Sequence, residues 1–314
     1  MKAWGIAEWY GRDVATMSER ERLASADQAI ASKLAGLAAA PQPVCPFMDT
    51  IKPGALCNKV GGVCSIRKYE AADDAVSVTD DQPTTLCPSR FLEHRGESSI
   101  FSYIAQEFFG TSSGAKVLKE IPFLEKESID GLERGAKAGR IDWIVVPNPK
   151  PDVAQEMAPL DWIAVETQGV YFSGDSMWPD IEAYSKDPSK LHYPAGKRRP
   201  DYRSSGAKRL SPQLDAKSPV MMRWGRKVVV VVDLAFFGEL GSLREARDFE
   251  NSEVIWLVMR YDEHMELVTD RVRFSLLRDS IAALQATNAV DRSLFETMLK
   301  NELASTRSKK VFEA

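Results

Sequence analysis

Five consecutive valines, Val228 to Val232, are the most constraining feature of this 314-residue chain. Valine is β-branched and favours extended backbone, and five in a row leave no polar face for solvent. Such a strand is covered on both faces, as are central strands of a sheet that lies between helices. We therefore predict a buried strand over KVVVVVDLAFF (227–237) and an α/β protein with a mixed sheet flanked by helices.

Other segments supply partners for this strand. Strand-like runs are predicted at 115–121, 140–148, 161–172, 254–262 and 265–272. A capping box of Ser18 and Glu21 predicts a helix to about Ala39, and Ser98 or Ser99 begins a second helix that Gly110 closes. Two terminal helices are expected at 274–287 and 291–303.

The chain as a whole carries no mark of a membrane or secreted protein. No run approaches the roughly 20 apolar residues of a membrane span, and the first residues lack a basic stretch followed by an apolar one. We expect a folded cytoplasmic protein. Its net charge of −4 gives no general indication of a polyanionic partner.

The charge is unevenly distributed. Residues 186–227, called the basic segment below, contain twelve lysines and arginines against three aspartates. The segment is rich in Pro, Ser and Gly, which predicts loops with short elements. It is either a surface that contacts phosphates or a solvated loop.

All four cysteines fall within 43 residues, at Cys45, Cys57, Cys64 and Cys87. Cytoplasmic thiols stay reduced, so disulfides are not expected. The spacings of 11, 6 and 22 residues differ from common zinc motifs, but adjacent Pro or Gly residues favour turns that let thiolates converge. Four thiolates suit zinc or iron, and full ligation indicates a structural ion. The alternative is four scattered core cysteines.

Three polar residues interrupt predicted strands. Asp142 lies within RIDWIVV, and Glu166 and Gln168 lie two apart in IAVETQGVYF, where strand alternation predicts a common face. Asp followed by Glu-x-Lys on the next strand is the arrangement of PD-(D/E)XK nucleases, in which carboxylates hold Mg²⁺ for phosphodiester hydrolysis. Here Gln168 replaces the lysine, and an amide can orient a water molecule but is not a base. The alternative is that these residues face solvent at an edge strand.

The order of these motifs resembles the NotI family of restriction endonucleases. The resemblance rests on GIAEWYG (5–11), the CPF, GGVC and CPSR motifs, the Asp142 strand and VETQ, with a weaker likeness at 248–260. It implies a PD-(D/E)XK core with Asp142, Glu166 and Gln168 as catalytic residues. Glu127 matches the upstream acid by its distance from Asp142, with Glu125 and Glu133 nearby. It also implies that the four cysteines hold structural iron.

Further expectations follow from the resemblance. The chain divides into residues 1–95, with the N-terminal helix and cysteine region, and 96–314, with nuclease and DNA-recognition functions. A homodimer cleaves both strands of a GC-rich palindrome in Mg²⁺, with a GGCC centre and 5′ overhangs, and a cognate DNA methyltransferase occurs in the same host. Arginines read guanine well, so the candidate DNA contacts are Arg198, Arg199, Arg203 and Arg209.

Two other classes of protein share some of these features. One is a repair or CRISPR-associated nuclease with a four-cysteine iron–sulfur cluster, although its cysteines usually lie on both sides of the nuclease core. The other is a non-catalytic DNA-binding protein with a structural metal, in which the basic segment makes all the contacts.

Overall fold

A six-stranded mixed sheet forms the centre of the protein. We describe it from a computed structural model that covers residues 2–36, 42–72, 75–94, 98–125, 137–147, 160–285 and 290–304. The strands within these ranges are β1 (Lys2–Trp9), β2 (Arg12–Asp13), β3 (Val63–Ala72), β4 (Ala75–Val78), β5 (Thr84–Thr85), β6 (Lys116–Glu125), β7 (Lys137–Val146), β8 (Ile163–Thr167), β9 (Tyr171–Gly174), β10 (Arg198–Asp201), β11 (Val228–Asp233), β12 (Val254–Tyr261) and β13 (Leu267–Ser275).

Helices follow or precede most of these strands. They are α1 (Glu19–Ala35), α2 (Ile100–Phe109), α3 (Trp178–Lys186), α4 (Tyr202–Ser205), α5 (Ser211–Arg223), α6 (Leu234–Gly238), α7 (Leu277–Gln285) and α8 (Arg292–Ala304). A 3₁₀ helix covers Pro88–Leu92, and a π-helical turn, Gly206–Leu210, leads into α5. Within the described ranges, no helix combines the length and apolarity needed to cross a membrane.

The central sheet has the order β13-β12-β11-β8-β7-β6. Strands β8, β11 and β12 run parallel to one another, and β6, β7 and β13 pair antiparallel with their neighbours. The predicted α/β class with a mixed sheet is therefore confirmed. A smaller sheet joins β1 to β5, and β9 pairs with β10.

The five valines lie in β11 as predicted and are fully buried. Val229 and Val231 enter one core cluster with α2, whereas Val228, Val230 and Val232 enter the other cluster with α5. The strand is shorter than predicted, because Asp233 caps α6 by accepting a hydrogen bond from Phe236 N at 2.7 Å. The apolar residues after Asp233 are thus helical.

Two further differences concern the middle of the chain. The predicted strand 161–172 is divided into β8 and β9, which belong to different sheets. The basic segment contains the 13-residue helix α5 in place of the expected loops. Pro212 lies in its first turn, where the missing amide costs nothing, and the buried face of the helix covers the sheet.

The cysteine region shares a core with the central sheet. Cys45, Cys64 and Leu92 belong to the same cluster as Trp143 of β7 and Val229 of β11. The boundary near residue 95 stays a prediction. In the described residues the two parts on either side of it are joined by apolar packing.

Candidate active site

Asp142 of β7 and Glu166 of β8 lie side by side in the central sheet. The antiparallel register pairs Trp143 with Val165, and Asp142 and Glu166 are the residues next to this last pair on each strand. Asp142 N donates a hydrogen bond to Glu166 Oε1 at 3.3 Å, and Thr167 N donates to Asp142 Oδ2 at 3.4 Å. Each carboxylate is therefore held by a backbone amide of the neighbouring strand.

Strand β7 is distorted at Asp142. Its neighbours Ile141 and Trp143 would share a face in a regular strand, yet they pack into different core clusters. On β6 the residue opposite Asp142 is Glu120, whose φ of 54° is left-handed. Asp142 is half-buried and lines a cavity of about 230 Å³ together with Glu120 and Thr167. The distortion thus opens the sheet beside the acidic pair.

Glu166 is almost entirely buried, with an exposed fraction of 1%. Burial raises the pKa of its carboxyl to about 7, and the neighbouring charge of Asp142 acts in the same direction. The ammonium of Lys217 and the hydrogen bonds oppose this shift without cancelling it. Glu166 therefore carries a proton more readily than an ordinary glutamate, and a cation bound beside it would favour its ionised form.

Lys217 is the residue that the sequence reasoning missed. Its Nζ lies 2.6 Å from Glu166 Oε2, and its side chain is nearly buried. A signal was present in the sequence, because Leu210, Leu214, Lys217 and Met221 recur at the spacing of one helix face. A lysine in an apolar stripe indicates a buried partner. The many Pro, Ser and Gly residues of the basic segment favour loops with short elements and obscure this stripe.

Gln168 follows β8 directly. Its backbone amide continues the parallel ladder by donating to Val231 O at 3.0 Å. The side chain is buried, and its Nε2 donates to the carbonyl oxygen of Gly169. Glu127, the predicted upstream acid, lies outside the described residues. Glu120 is the acid that the structure brings opposite Asp142.

The four cysteines line one cavity of about 220 Å³. Cys45 N donates to Ala55 O, and Cys64 O accepts from Cys87 N, so backbone hydrogen bonds shape the loops that carry the thiols. None of the four forms a disulfide. Burial raises the pKa of Cys57, Cys64 and Cys87. Among the described residues no three acidic, histidine or cysteine side chains are close enough together to hold a metal ion.

The donor set of this cavity nevertheless fits a soft or borderline cation. The four thiols line one cavity, and the charges of neighbouring cysteines contribute to the raised pKa values of Cys57 and Cys64. The cavity adjoins the one at Asp142, because Met48, Asn58, Lys59, Ser89 and Lys119 line both. A metal here would lie in the wall next to the acidic pair.

The four candidate arginines have different environments. Arg198 is buried, pairs with Asp180, and donates to Ser176 O at 2.7 Å. Its guanidinium is occupied within the protein, and we therefore expect a structural role for it. Arg199 on β10 and Arg203 on α4 are exposed. Arg209 is exposed and stacks 3.7 Å above the ring of Tyr171, which is itself half-exposed.

The chain is thus a mixed α/β protein with an acidic pair between two strands of its central sheet and exposed arginines at positions 199, 203 and 209. The family comparison agrees. The model described as "Restriction endonuclease NotI" matches residues 28–276, which include the cysteines, the acidic pair and Lys217. The chain belongs to the NotI restriction endonuclease family, and membership implies an enzyme that hydrolyses DNA. A search of curated proteins finds no significant match.

Proposed function

We propose that the protein is a type II restriction endonuclease with a PD-(D/E)XK core that cleaves double-stranded DNA in the presence of Mg²⁺. The observation that carries this proposal is the contact between Asp142 and Glu166 on neighbouring strands. Carboxylate oxygens are the ligands that Mg²⁺ prefers, and rigid strands keep such ligands in place. The order of β6, β7, β8 and β11 supports the same core.

In this mechanism Asp142 and Glu166 hold the divalent cation. The cation supplies positive charge at the scissile phosphate, where negative charge accumulates during hydrolysis. Gln168 orients the attacking water through its side-chain oxygen, which accepts hydrogen bonds, while its Nε2 donates to Gly169 O. An upstream acid completes the site. Glu127 is the candidate from motif spacing, and Glu120 is the candidate from its position opposite Asp142.

The DNA-contacting surface of the proposal combines exposed arginines with aromatic residues. Arg199, Arg203 and Arg209 are exposed, as are Tyr171 and Phe172 on the strand that follows Gln168. Guanidinium groups neutralise phosphates and read guanine edges in the major groove. We expect a GC-rich palindrome with a GGCC centre, 5′ overhangs, a homodimer that matches its twofold symmetry, and a cognate methyltransferase in the host.

The cysteine cavity belongs to the proposal as a structural metal site. Cys45, Cys57, Cys64 and Cys87 would hold iron or zinc with no open position for chemistry. Such an ion ties together loops that also line the cavity at Asp142. We expect the ion to stabilise these loops.

The decisive experiment is cleavage of a DNA of known sequence, followed by mapping of the ends. Purified protein with Mg²⁺ should give discrete ends at a repeated palindrome, and EDTA should abolish the products. Glu166→Ala should bind DNA without cleaving it, whereas Glu182→Ala, which removes an exposed carboxylate on α3, should cleave normally. Absence of cleavage by the wild-type protein, or normal cleavage by Glu166→Ala, would contradict the proposal.

A further inference from the structure

The position two residues after Glu166 carries no positively charged side chain. Gln168 occupies that position, and its amide nitrogen is engaged by the carbonyl oxygen of Gly169. To bind the divalent cation used in phosphodiester hydrolysis, the carboxylates must be ionised and their oxygens must be oriented toward the cation. A buried glutamate beside a second carboxylate meets both requirements poorly unless another group assists it.

Lys217 reaches the site from a different element. It lies on the buried face of α5, between Leu214 and Met221, which pack against the valines of β11. An ammonium group loses its hydration in such surroundings, and this loss is tolerated when an opposite charge lies close by. Its Nζ approaches Glu166 Oε2 to 2.6 Å. The long flexible stem of lysine allows a helix outside the sheet to place a charge within it.

The two oxygens of Glu166 thus have separate partners. Oε2 accepts from Lys217, whereas Oε1 accepts from the backbone amide of Asp142 at 3.3 Å. The side-chain charges that face Glu166 come from Asp142 on β7 and Lys217 on α5, and the paired residue on β11 is the apolar Val230. The Lys217 ammonium therefore holds Oε2 in place, and Oε1 lies on the side of Asp142.

We propose that Lys217 is a positioning residue of the cleavage site, which holds Oε2 of Glu166 so that Oε1 stays directed to the cation position beside Asp142. It supplies from a helix the positive charge that the strand lacks at Gln168. The inference rests on the proposed function, because it assigns to Lys217 a role in the same site. It also explains why a lysine occupies an apolar helix face at this point.

The test measures binding of Mn²⁺ alone to the full-length protein by calorimetry. The heat that remains in Glu166→Ala serves as the baseline for other metal sites. Lys217→Met should weaken Mn²⁺ binding by about 10- to 100-fold, as loss of a partner of a metal ligand typically does. Lys300→Met, which removes an exposed lysine on α8, is the matched control.

Lys217→Met could lose Mn²⁺ binding because it fails to fold. Lys217→Arg keeps the positive charge and is the second variant. It should be folded by circular dichroism and should bind Mn²⁺ within about tenfold of wild type. The inference is wrong if Lys217→Met binds Mn²⁺ with the affinity of wild type, or if folded Lys217→Arg binds Mn²⁺ no better than Lys217→Met. Cleavage by the wild-type protein is assayed separately in Mg²⁺. Its absence would refute the endonuclease proposal, while the binding comparison still reports on Lys217.

Discussion

Arg90 and Glu8 form an ion pair in the interior of the protein, with Arg90 Nε 2.6 Å from Glu8 Oε1 and both side chains nearly inaccessible. Arg90 lies on the 3₁₀ helix that follows Cys87, and Glu8 lies on β1. The same guanidinium donates from Nη2 to Met265 O at 2.7 Å, in the turn between β12 and β13. One buried charge therefore connects the cysteine region, the small sheet and the central sheet.

Replacing Arg90 with methionine should lower the free energy of unfolding by about 3–5 kcal/mol, because it leaves the buried Glu8 carboxylate without its cationic partner. Urea denaturation measures this change. Arg12→Met is the matched control, since Arg12 pairs with Glu21 at the exposed surface and such pairs contribute about 0–1 kcal/mol. Equal effects of the two substitutions would mean that burial of the Arg90 pair has no energetic consequence.

Cleavage should decline as pH falls below about 7, because burial raises the pKa of Glu166 to about 7 and the protonated carboxyl does not bind a cation. By linkage, about tenfold more Mg²⁺ should move the midpoint of the pH–rate curve to lower pH. Initial rates across about pH 5.5 to 8.5 at two Mg²⁺ concentrations provide the measurement. A midpoint that does not respond to Mg²⁺ would argue that Glu166 is not a ligand.

The same pKa has a consequence for stability without the cation. A folded pKa above the ordinary value of 4.5 means that the folded protein binds the proton more tightly than the unfolded chain. The contribution of Glu166 is then fully present below about pH 4.5 and is lost as pH rises through about 7. Added Mg²⁺ should recover part of this loss above pH 7.

If the four cysteines hold a metal as proposed, Cys64→Ser should remove it and lower the melting temperature by about 10 °C or more, since metal-binding free energy contributes directly to folding. Elemental analysis counts iron and zinc per chain, and calorimetry gives the melting temperature. Wild-type protein that is stripped by a chelator and reloaded serves as the control, because it should regain both metal and stability. A Cys64→Ser protein with full metal content and an unchanged melting temperature would refute the four-thiolate site.

Arg209→Ala should weaken DNA binding similarly for all sequences and reduce the slope of log K against log salt by about 1, as expected when one phosphate contact is lost. Arg209 is exposed and held over Tyr171, so the substitution leaves the core intact. Arg292→Ala on α8 removes another exposed arginine and should leave the slope unchanged. An unaltered slope for Arg209→Ala would place Arg209 outside the DNA-binding surface.

Local chemistry was sufficient to predict several elements. The capping box of Ser18 and Glu21 begins α1, and Ser99 with Gly110 brackets α2. These helices were predictable because their end signals involve residues only a few positions apart. The end of β11 was not predictable in the same way. The apolar residues after Asp233 suit a strand as well as a helix, and the Asp233 carboxylate also binds Thr85 N, which lies 148 residues away along the chain.

The residue pattern alone predicts that the five valines form a strand between two layers of helices, because they offer no polar face to solvent. The same pattern shows that acids interrupt two strands. Three relationships arise only in the folded molecule: Asp142 contacts Glu166 across β7 and β8, Arg198 is buried on Asp180, and Lys217 reaches Glu166 from α5. These relationships depend on packing between segments far apart in the chain, and no local preference encodes which distant charge a buried carboxylate will meet.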